Sequence, residues 1–314
     1  MKAVTTTMLR RTAIGVVAVL TLAAALTAEA DAKKTYFTGI EGNYILEPGQ
    51  WFGDVVNLVA FRRTCDADED ISDPRLKGLG SWTYAVDAVA GKFWGWGRIV
   101  PDQGGGEWTG YFTGSMTAGT ILHMTLTGSG DYAGLVARLT YTNGPQPHTL
   151  AIAGYIVEAK GGPGERPLKL SLCRTEQLEM LNCVELDPAF WPPEPFDPPR
   201  SATIVRTTIV SEMGQATHAG RITTEGFSLM DPVTGVMTGT GTAKAANGDE
   251  IYWVHVATFD QNGVAQNSVH FCGGTGRFDA VTGGFVGQIT EGPVPTDDPA
   301  VSQFCYDGVG TIRY

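Results

Sequence analysis

The sequence predicts an all-β protein with little helix, built from two antiparallel β-barrels of about eight strands each, closed or near-closed, joined by a proline-rich linker. Three observations predict this class. Runs of Thr, Val, Ile, Tyr and Phe are short and are broken by Gly, Asn-Gly, Asp-Gly or Asp-Pro, as strands and turns require. The chain holds 41 glycines, many of them inside the predicted strands, where a tightly bent sheet tolerates them. A segment rich in proline separates two halves with similar strand content.

Residues 1–32 are predicted to be an export signal peptide. Basic residues precede an apolar run over residues 13–26, and the Ala-Asp-Ala sequence that ends at Ala32 fits a cleavage site. About 14 apolar residues are too few to cross a bilayer, for which ~20 are needed. We therefore expect a mature chain that begins at Lys33, keeps no stable membrane span and is periplasmic or extracellular. The sequence leaves both the Sec and the twin-arginine routes open.

The segment 187–200 contains six prolines in 14 residues, which excludes helix and central strand and favours polyproline II. It is predicted to be a semi-rigid linker. The chain then divides into a first β-barrel domain over residues 33–186 and a second over residues 201–314, each of ordinary domain size.

Strand runs and turn residues define the elements of the second domain. Turns are predicted at residues 231–235 and 247–249, where Gly and Asn tolerate positive φ. One short helix is expected, at residues 174–181, just before the linker. The predicted strands cover residues 203–211, 217–229, 236–245, 250–259, 268–272, 284–290 and 303–314.

An internal repeat links the two domains. The pattern G-[ST]-G-x-[YF]-x-x-[LV] occurs at residues 128–135 and again at residues 274–281, each time between two predicted strands. We interpret it as a strand end that turns sharply on two glycines and then buries an aromatic residue, which plugs one end of a barrel. Duplication of one unit is the simplest account of the two copies.

The longer string FCGGTGRFDAVTG, residues 271–283, resembles the G-G-T-G-x-F-x-x-A-x-G element of dirigent proteins and the related element of allene oxide cyclases. Val281 stands where that element has Ala. Residues 216–221 and 246–249 are similar to elements of exported bacterial members of this group. The resemblance covers most of residues 201–314 and, more faintly, residues 76–157. It implies eight-stranded barrels with a central cavity, in two copies, and it transfers no catalytic residue.

Charge and motif content exclude several classes of function. Asp plus Glu number 33 against 22 for Lys plus Arg, a net charge of −11 that would repel nucleic acid. The acidic turn at residues 66–70 lacks the Gly and Glu of a calcium loop, because Ile71 and Lys77 occupy those positions. The histidines lack zinc-site spacing, and neither a nucleophile elbow nor a nucleotide-binding loop is present. No metal and no cofactor are predicted.

The five cysteines are predicted to be disulfide partners, since exported proteins meet an oxidising environment. Cys272 and Cys305 are the expected pair of the second domain, provided that their strands are neighbours in the barrel wall. In the first domain Cys65, Cys173 and Cys183 allow three pairings. Cys173 with Cys183 is slightly preferred, as a clip around the short helix.

Aromatic residues supply the candidate ligand-binding positions. Trp94 and Trp96 lie two apart on one strand face, which makes either a stacking platform for a sugar or aromatic ligand or a filling for the barrel interior. Tyr252 and Trp253 belong to the strand 250–259, both of whose faces are largely apolar. One face lines a barrel, so the other is expected to pack on the other domain, a second copy of the chain or a protein partner.

The leading hypothesis is an exported, non-enzymatic protein that binds a small apolar or aromatic ligand in a barrel cavity, or a protein partner. One alternative is an isomerase or cyclase of the resembled kind, which shapes a reactive intermediate by confinement. His255, His270 and Arg221 are its candidate catalytic residues. A second alternative is a carbohydrate-binding module that uses Trp94 and Trp96.

Overall fold

Two antiparallel sheets make up the part of the chain that the structure describes. The computed structural model describes residues 33–41, 44–51, 59–67, 71–87, 91–115, 121–145, 149–158, 165–182, 203–230, 237–259, 265–294 and 296–314. Within these ranges the helical elements are two 3₁₀ turns, Gly130–Tyr132 and Gly276–Phe278. The prediction of an all-β chain with little helix is confirmed. No helix in this part of the chain is long and apolar enough to cross a membrane.

The first sheet has nine strands in the order β1-β9-β8-β7-β6-β5-β4-β3-β2. It curls into a half-barrel but does not close among the described residues. The prediction of a closed or near-closed first barrel is therefore confirmed only in part. Pro48, inside β2, has no N–H to donate to a second neighbour, which suits β2 to the sheet edge. The strands are β1 (Thr35–Glu41), β2 (Tyr44–Trp51), β3 (Val59–Ala67), β4 (Gly78–Asp87), β5 (Lys92–Pro101), β6 (Trp108–Ser115), β7 (Ile121–Gly128), β8 (Leu135–Asn143) and β9 (Leu150–Glu158).

The second sheet is a closed barrel of eight strands, in which each strand pairs with the next and β10 pairs with β17. The predicted second barrel is therefore confirmed as a fold. Its strands are β10 (Arg166–Asn182), β11 (Thr203–Ala216), β12 (Gly220–Met230), β13 (Met237–Ala245), β14 (Glu250–Phe259), β15 (Ala265–Gly274), β16 (Thr282–Val294) and β17 (Val301–Arg313).

Strand β10 corrects two sequence predictions. The predicted helix at residues 174–181 is the second half of this strand, and it pairs with β11 and β17. The sheets consequently divide between Glu158 and Arg166, not at the proline-rich segment. Helix-favouring residues fill residues 174–181, but closing the barrel requires an eighth strand, and tertiary pairing overrides local propensity. The linker 187–200 lies outside the described residues, and the division into separately folding domains stays a prediction.

Both copies of the repeat form the turn that the sequence predicted. β7 and β15 each end at the first glycine of the pattern, and a 3₁₀ turn follows. Tyr132 and Phe278, the aromatic residues of the two copies, are buried in the cores of their respective sheets. Gly276 adopts a φ of 54°, and a Cβ there would lie 2.1 Å from Asp249 Oδ1, so glycine is required on both counts.

The outer face of the barrel packs on the outer face of the first sheet. Trp94 is 1% exposed, and its Nε1 donates a 2.8 Å hydrogen bond to Thr238 Oγ1. Leu229 and Val254 of the barrel wall pack in the same apolar cluster. The second apolar face of strand 250–259 thus packs on the first sheet. Of the three partners predicted for this face, the structure shows the other sheet of the same chain.

The disulfide joins Cys173 to Cys305, so the predicted Cys272–Cys305 pair is wrong. Cys173 and Cys305 lie directly opposite each other on β10 and β17, the first and last strands of the barrel. Cys272 lies on β15, which pairs with β14 and β16 and not with β17, and it is a buried free thiol. The preferred Cys173–Cys183 clip is also excluded, because Cys173 is already bonded. Cys183 lies outside the described residues.

Candidate binding site

The candidate site is the lumen of the closed barrel. Alternate residues of every strand point inward, and a cavity of about 50 Å³ remains between them. This is space for about three or four water molecules, or for the head of a small ligand. The 3₁₀ turn with Phe278 and Val281 belongs to the apolar core of the barrel. The apolar lining of the cavity includes Leu170, Leu172, Ile222, Trp253, Phe271 and Phe285.

Charged side chains meet within this apolar lumen. Arg174 Nη1 lies 2.8 Å from Glu176 Oε1, and Arg174 Nη2 lies 2.8 Å from Glu212 Oε1. Tyr306 donates its hydroxyl to the same Glu212 oxygen at 2.5 Å and accepts from Arg174 Nη2 at 3.3 Å. We call Arg174, Glu176, Glu212 and Tyr306 the lumen cluster. Exposed fractions of 9%, 10% and 0% for the Arg174, Glu176 and Glu212 side chains place its three charges away from solvent.

Burial and neighbouring charge set the protonation of the lumen cluster. Burial raises the pKa of Glu176, and the attraction of Arg174 only partly offsets it. Burial opposes the charge on Arg174, but Tyr306, Glu212 and Glu176 outweigh it and raise the pKa of the guanidinium. Burial also raises the pKa of Tyr306, which keeps the phenol protonated as a donor. One cation therefore faces two carboxyl groups.

Glu212 has an unsatisfied oxygen. Its Oε1 accepts hydrogen bonds from Arg174 and Tyr306, whereas its Oε2 is buried and has no partner among the described residues. A buried carboxylate oxygen without a donor costs about 1–3 kcal/mol or more, since it has lost water and gained nothing. Glu212 lines the lumen cavity, so a group with an N–H or O–H inside that cavity would supply the missing bond.

His255 forms a second polar chain in the lumen. Its Nδ1 lies 3.0 Å from Asn267 Oδ1, and its Nε2 lies 2.7 Å from Ser228 Oγ. These partners fit a neutral ring whose Nδ1–H donates to Asn267 and whose Nε2 accepts from Ser228. Gly239 lies on β13, between the strands that carry Ser228 and His255. A Cβ at this position would lie 2.7 Å from His255 Nε2, so glycine leaves room for the histidine ring.

Acid is expected to destabilise the protein through His255. Burial lowers the pKa of His255 to about 4, below the ~6.5 of an exposed histidine in the unfolded chain. Between these two values the unfolded state binds a proton that the folded state does not, so stability falls as the pH falls from about 6.5 to 4. The loss from this one residue is expected to be about 3 kcal/mol, measured by urea unfolding across that pH range.

His255→Gln is the variant that isolates this effect. It is expected to be less stable at pH 7.5 but to lose about 3 kcal/mol less than the wild type between pH 6.5 and pH 4. Equal slopes in His255→Gln and the wild type would contradict the assignment.

The structure separates the predicted catalytic candidates. Of the three, only His255 points into the lumen. His270 lies on the outer face of the barrel, where its ring stacks on Tyr111 with centroids 4.1 Å apart. Arg221 is exposed on β12. They do not form one pocket.

The predicted ligand-binding residues are also divided. Trp253 lines the lumen, but Tyr252 points the other way and stacks on His123 of the first sheet. Trp94 is covered by the barrel, while its strand neighbour Trp96 is 49% exposed. The predicted platform of two indoles therefore offers one ring, and whether any of these residues binds a ligand stays a prediction.

Sequence reasoning missed the lumen cluster. Arg174 and Glu176 fell within the predicted helix, and Glu212 came just after a predicted strand. A signal was present, however: Leu168, Leu170 and Leu172 alternate with polar residues, and continuing that period of two places Arg174 on the same inward face. Among the described residues no group of His, Cys, Asp and Glu is arranged to hold a metal ion.

The fold and the site of the described residues together define a class: an all-β protein with a closed barrel that encloses a small cavity and a buried charged cluster. No protein-family model matches the sequence, and no curated protein matches it. Among solved structures the chain matches the vaccine antigen Transferrin Binding Protein B, as a tryptophan-to-alanine mutant from Haemophilus parasuis Hp5. That match has 10% identity and a TM-score of 0.13 over 90% of this chain and 77% of that one, a likeness too low to carry an argument.

Proposed function

We propose that this protein is an exported, non-enzymatic binding protein that takes a small apolar or aromatic molecule with one hydrogen-bond donor into the barrel lumen. The observation that carries the proposal is the unpartnered Oε2 of Glu212 on the wall of a cavity that is otherwise mostly apolar. The donor would satisfy Glu212, and the apolar body would contact rings such as Trp253 and Phe285. The disulfide supports export, because such bonds persist in oxidising compartments.

Phenol and toluene form a probe pair of similar size that differs in the donor. Each ring is larger than the cavity of about 50 Å³, so both must move lumen side chains apart to a similar extent, and the comparison isolates the donor. Phenol is expected to bind with at least tenfold higher affinity, since a hydrogen bond to a charged group contributes about 1.5–3 kcal/mol. Isothermal titration calorimetry and thermal shift on the mature chain measure both affinities. Equal affinities would mean that water satisfies Glu212, and no binding of phenol would refute the proposal.

Two adjacent threonines provide matched variants. Thr224 lines the lumen cavity, whereas Thr223 is exposed on the other face of β12. Thr224→Leu fills part of the cavity and should weaken phenol binding at least tenfold. Thr223→Leu should leave it unchanged, and equal effects of the two changes would place the ligand elsewhere.

An isomerase or cyclase acting in the same lumen is the second candidate. His255 is the predicted catalytic residue that lies on the cavity wall, but both of its ring nitrogens are hydrogen-bonded, to Asn267 and Ser228, and a pKa lowered by burial to about 4 makes it a weak proton acceptor at neutral pH. The other two predicted catalytic residues lie outside the lumen, so binding is the function that the geometry supports better.

A further inference from the structure

An open groove lies between the two sheets, outside the lumen. One wall is the outer face of β5, β6 and β7, and the other is the outer face of β15, β16 and β17. Its volume is about 500 Å³, within the ~300–1,000 Å³ that is usual for small-molecule sites. The stacked rings of Tyr111 and His270, one from each sheet, lie in the lining where the walls meet.

The groove presents an indole to solvent. Trp96 lines it and is 49% exposed, although Trp94 on the same strand face is buried. On the opposite wall Val286 and Val309 are 53% and 64% exposed. A half-exposed indole with an open space before it is a flat apolar surface on which a ring can stack.

The described lining of the groove carries hydroxyl groups and no charged side chain. Thr125 Oγ1 is buried in the lining and has no hydrogen-bond partner among the described residues. None of the described residues that line the groove is Asp, Glu, Lys or Arg, in a chain of which 18% is charged. The hydroxyl-bearing side chains, besides Tyr111, are Thr109, Thr125, Thr127, Ser268, Thr282 and Thr311.

We propose that the groove is a second binding site, for a neutral carbohydrate chain. A sugar ring offers an apolar face to stack on Trp96, and its hydroxyls donate to and accept from the threonine and serine side chains. A charged ligand would find no counter-charge among the described residues that line the groove. A purely apolar ligand would bury the hydroxyls without partners, at a cost in free energy. The combination of one exposed indole with uncharged hydroxyls therefore favours a neutral glycan.

The test is calorimetry and tryptophan fluorescence on the mature chain with neutral hexasaccharides of β-1,4-glucose, β-1,4-xylose and α-1,4-glucose. Oligogalacturonate of the same length is the anionic contrast. We expect at least one neutral probe to bind and at least tenfold weaker binding of the anionic one. Trp96→Ala should weaken the neutral probe at least tenfold, and Thr125→Val should weaken it about threefold or more.

Controls separate this site from the lumen and from exposed aromatic residues elsewhere on the surface. Tyr36→Ala, at an aromatic residue that is 73% exposed elsewhere, and Thr224→Leu in the lumen should leave glycan binding unchanged. Failure of every neutral probe to bind at millimolar concentration, or wild-type affinity in Trp96→Ala, would overturn the proposal. Self-association that Trp96→Ala abolishes, seen by sedimentation velocity without glycan binding, would assign the groove to a second copy of the chain instead.

Discussion

Replacing both Cys173 and Cys305 by alanine is expected to lower the free energy of unfolding by about 3 to 5 kcal/mol. The disulfide bridges residues separated by 132 positions, and in the chain-entropy model a longer closed loop restricts the unfolded chain more strongly. It also fastens β10 to β17, the pair that closes the barrel. Urea unfolding of the double variant and the wild type under the same conditions measures the difference.

The free thiol provides the control for this experiment. Cys272→Ala keeps the disulfide and removes only a small buried side chain, so it should cost less than the double variant. Peptide mapping without reduction should recover Cys173 linked to Cys305 and Cys272 as a free thiol. A double variant as stable as the wild type, or a peptide that links Cys272 to Cys305, would contradict the structure.

Arg174→Met is expected to lower the free energy of unfolding by about 3 to 5 kcal/mol. The change keeps an apolar stem of similar reach but removes the cation that lies 2.8 Å from both Glu176 and Glu212. Both carboxyl groups then stay buried without an opposite charge, which is the costly way to break a buried ion pair. Chemical denaturation at pH 7.5 measures the loss.

Two comparisons identify the origin of this loss. Arg221→Met makes the same substitution at an exposed site and should change stability by no more than about 0.5 kcal/mol. Adding Glu212→Gln to Arg174→Met removes one of the two carboxyl groups left without a cation. The loss of stability in the double variant should therefore be smaller than the sum of the losses in the two single variants, by about 1 kcal/mol or more. Additive effects, or an Arg174→Met protein of wild-type stability, would show that the lumen cluster does not couple these side chains.

Local patterns predicted most of the strands but not all of their partners. All seven predicted strands of the second domain exist, because alternation and turn residues such as Gly248 are local signals. Strand β10 and its disulfide depend on pairing with β17, more than a hundred residues away along the chain. The open edge of the first sheet likewise depends on which strands find neighbours, which no short window of sequence specifies.

The candidate site was predictable only in part. His255 and Trp253 were recognised because they stand out in an apolar strand, and both line the lumen. Glu212 was not, since its importance comes from an oxygen that lacks a partner, which is a property of the assembled lumen. The pairing of β11 with β12 shifts register between Thr208 and Met213, which changes which residues of β11 face inward, so strict alternation along the sequence would misplace part of the wall.

The free thiol of Cys272 can report chemically on the contact between the two sheets. The thiol is fully buried between them, and burial raises its pKa to about 12, so it is neither accessible nor ionised in the closed form. A thiol reagent can modify it only in molecules whose sheets have parted or whose chain has unfolded, because the reagent must reach the sulfur and the thiolate is the nucleophile. A rate of modification in native buffer above the rate of global unfolding therefore reports how often the first sheet lifts from the barrel wall, without any engineered label.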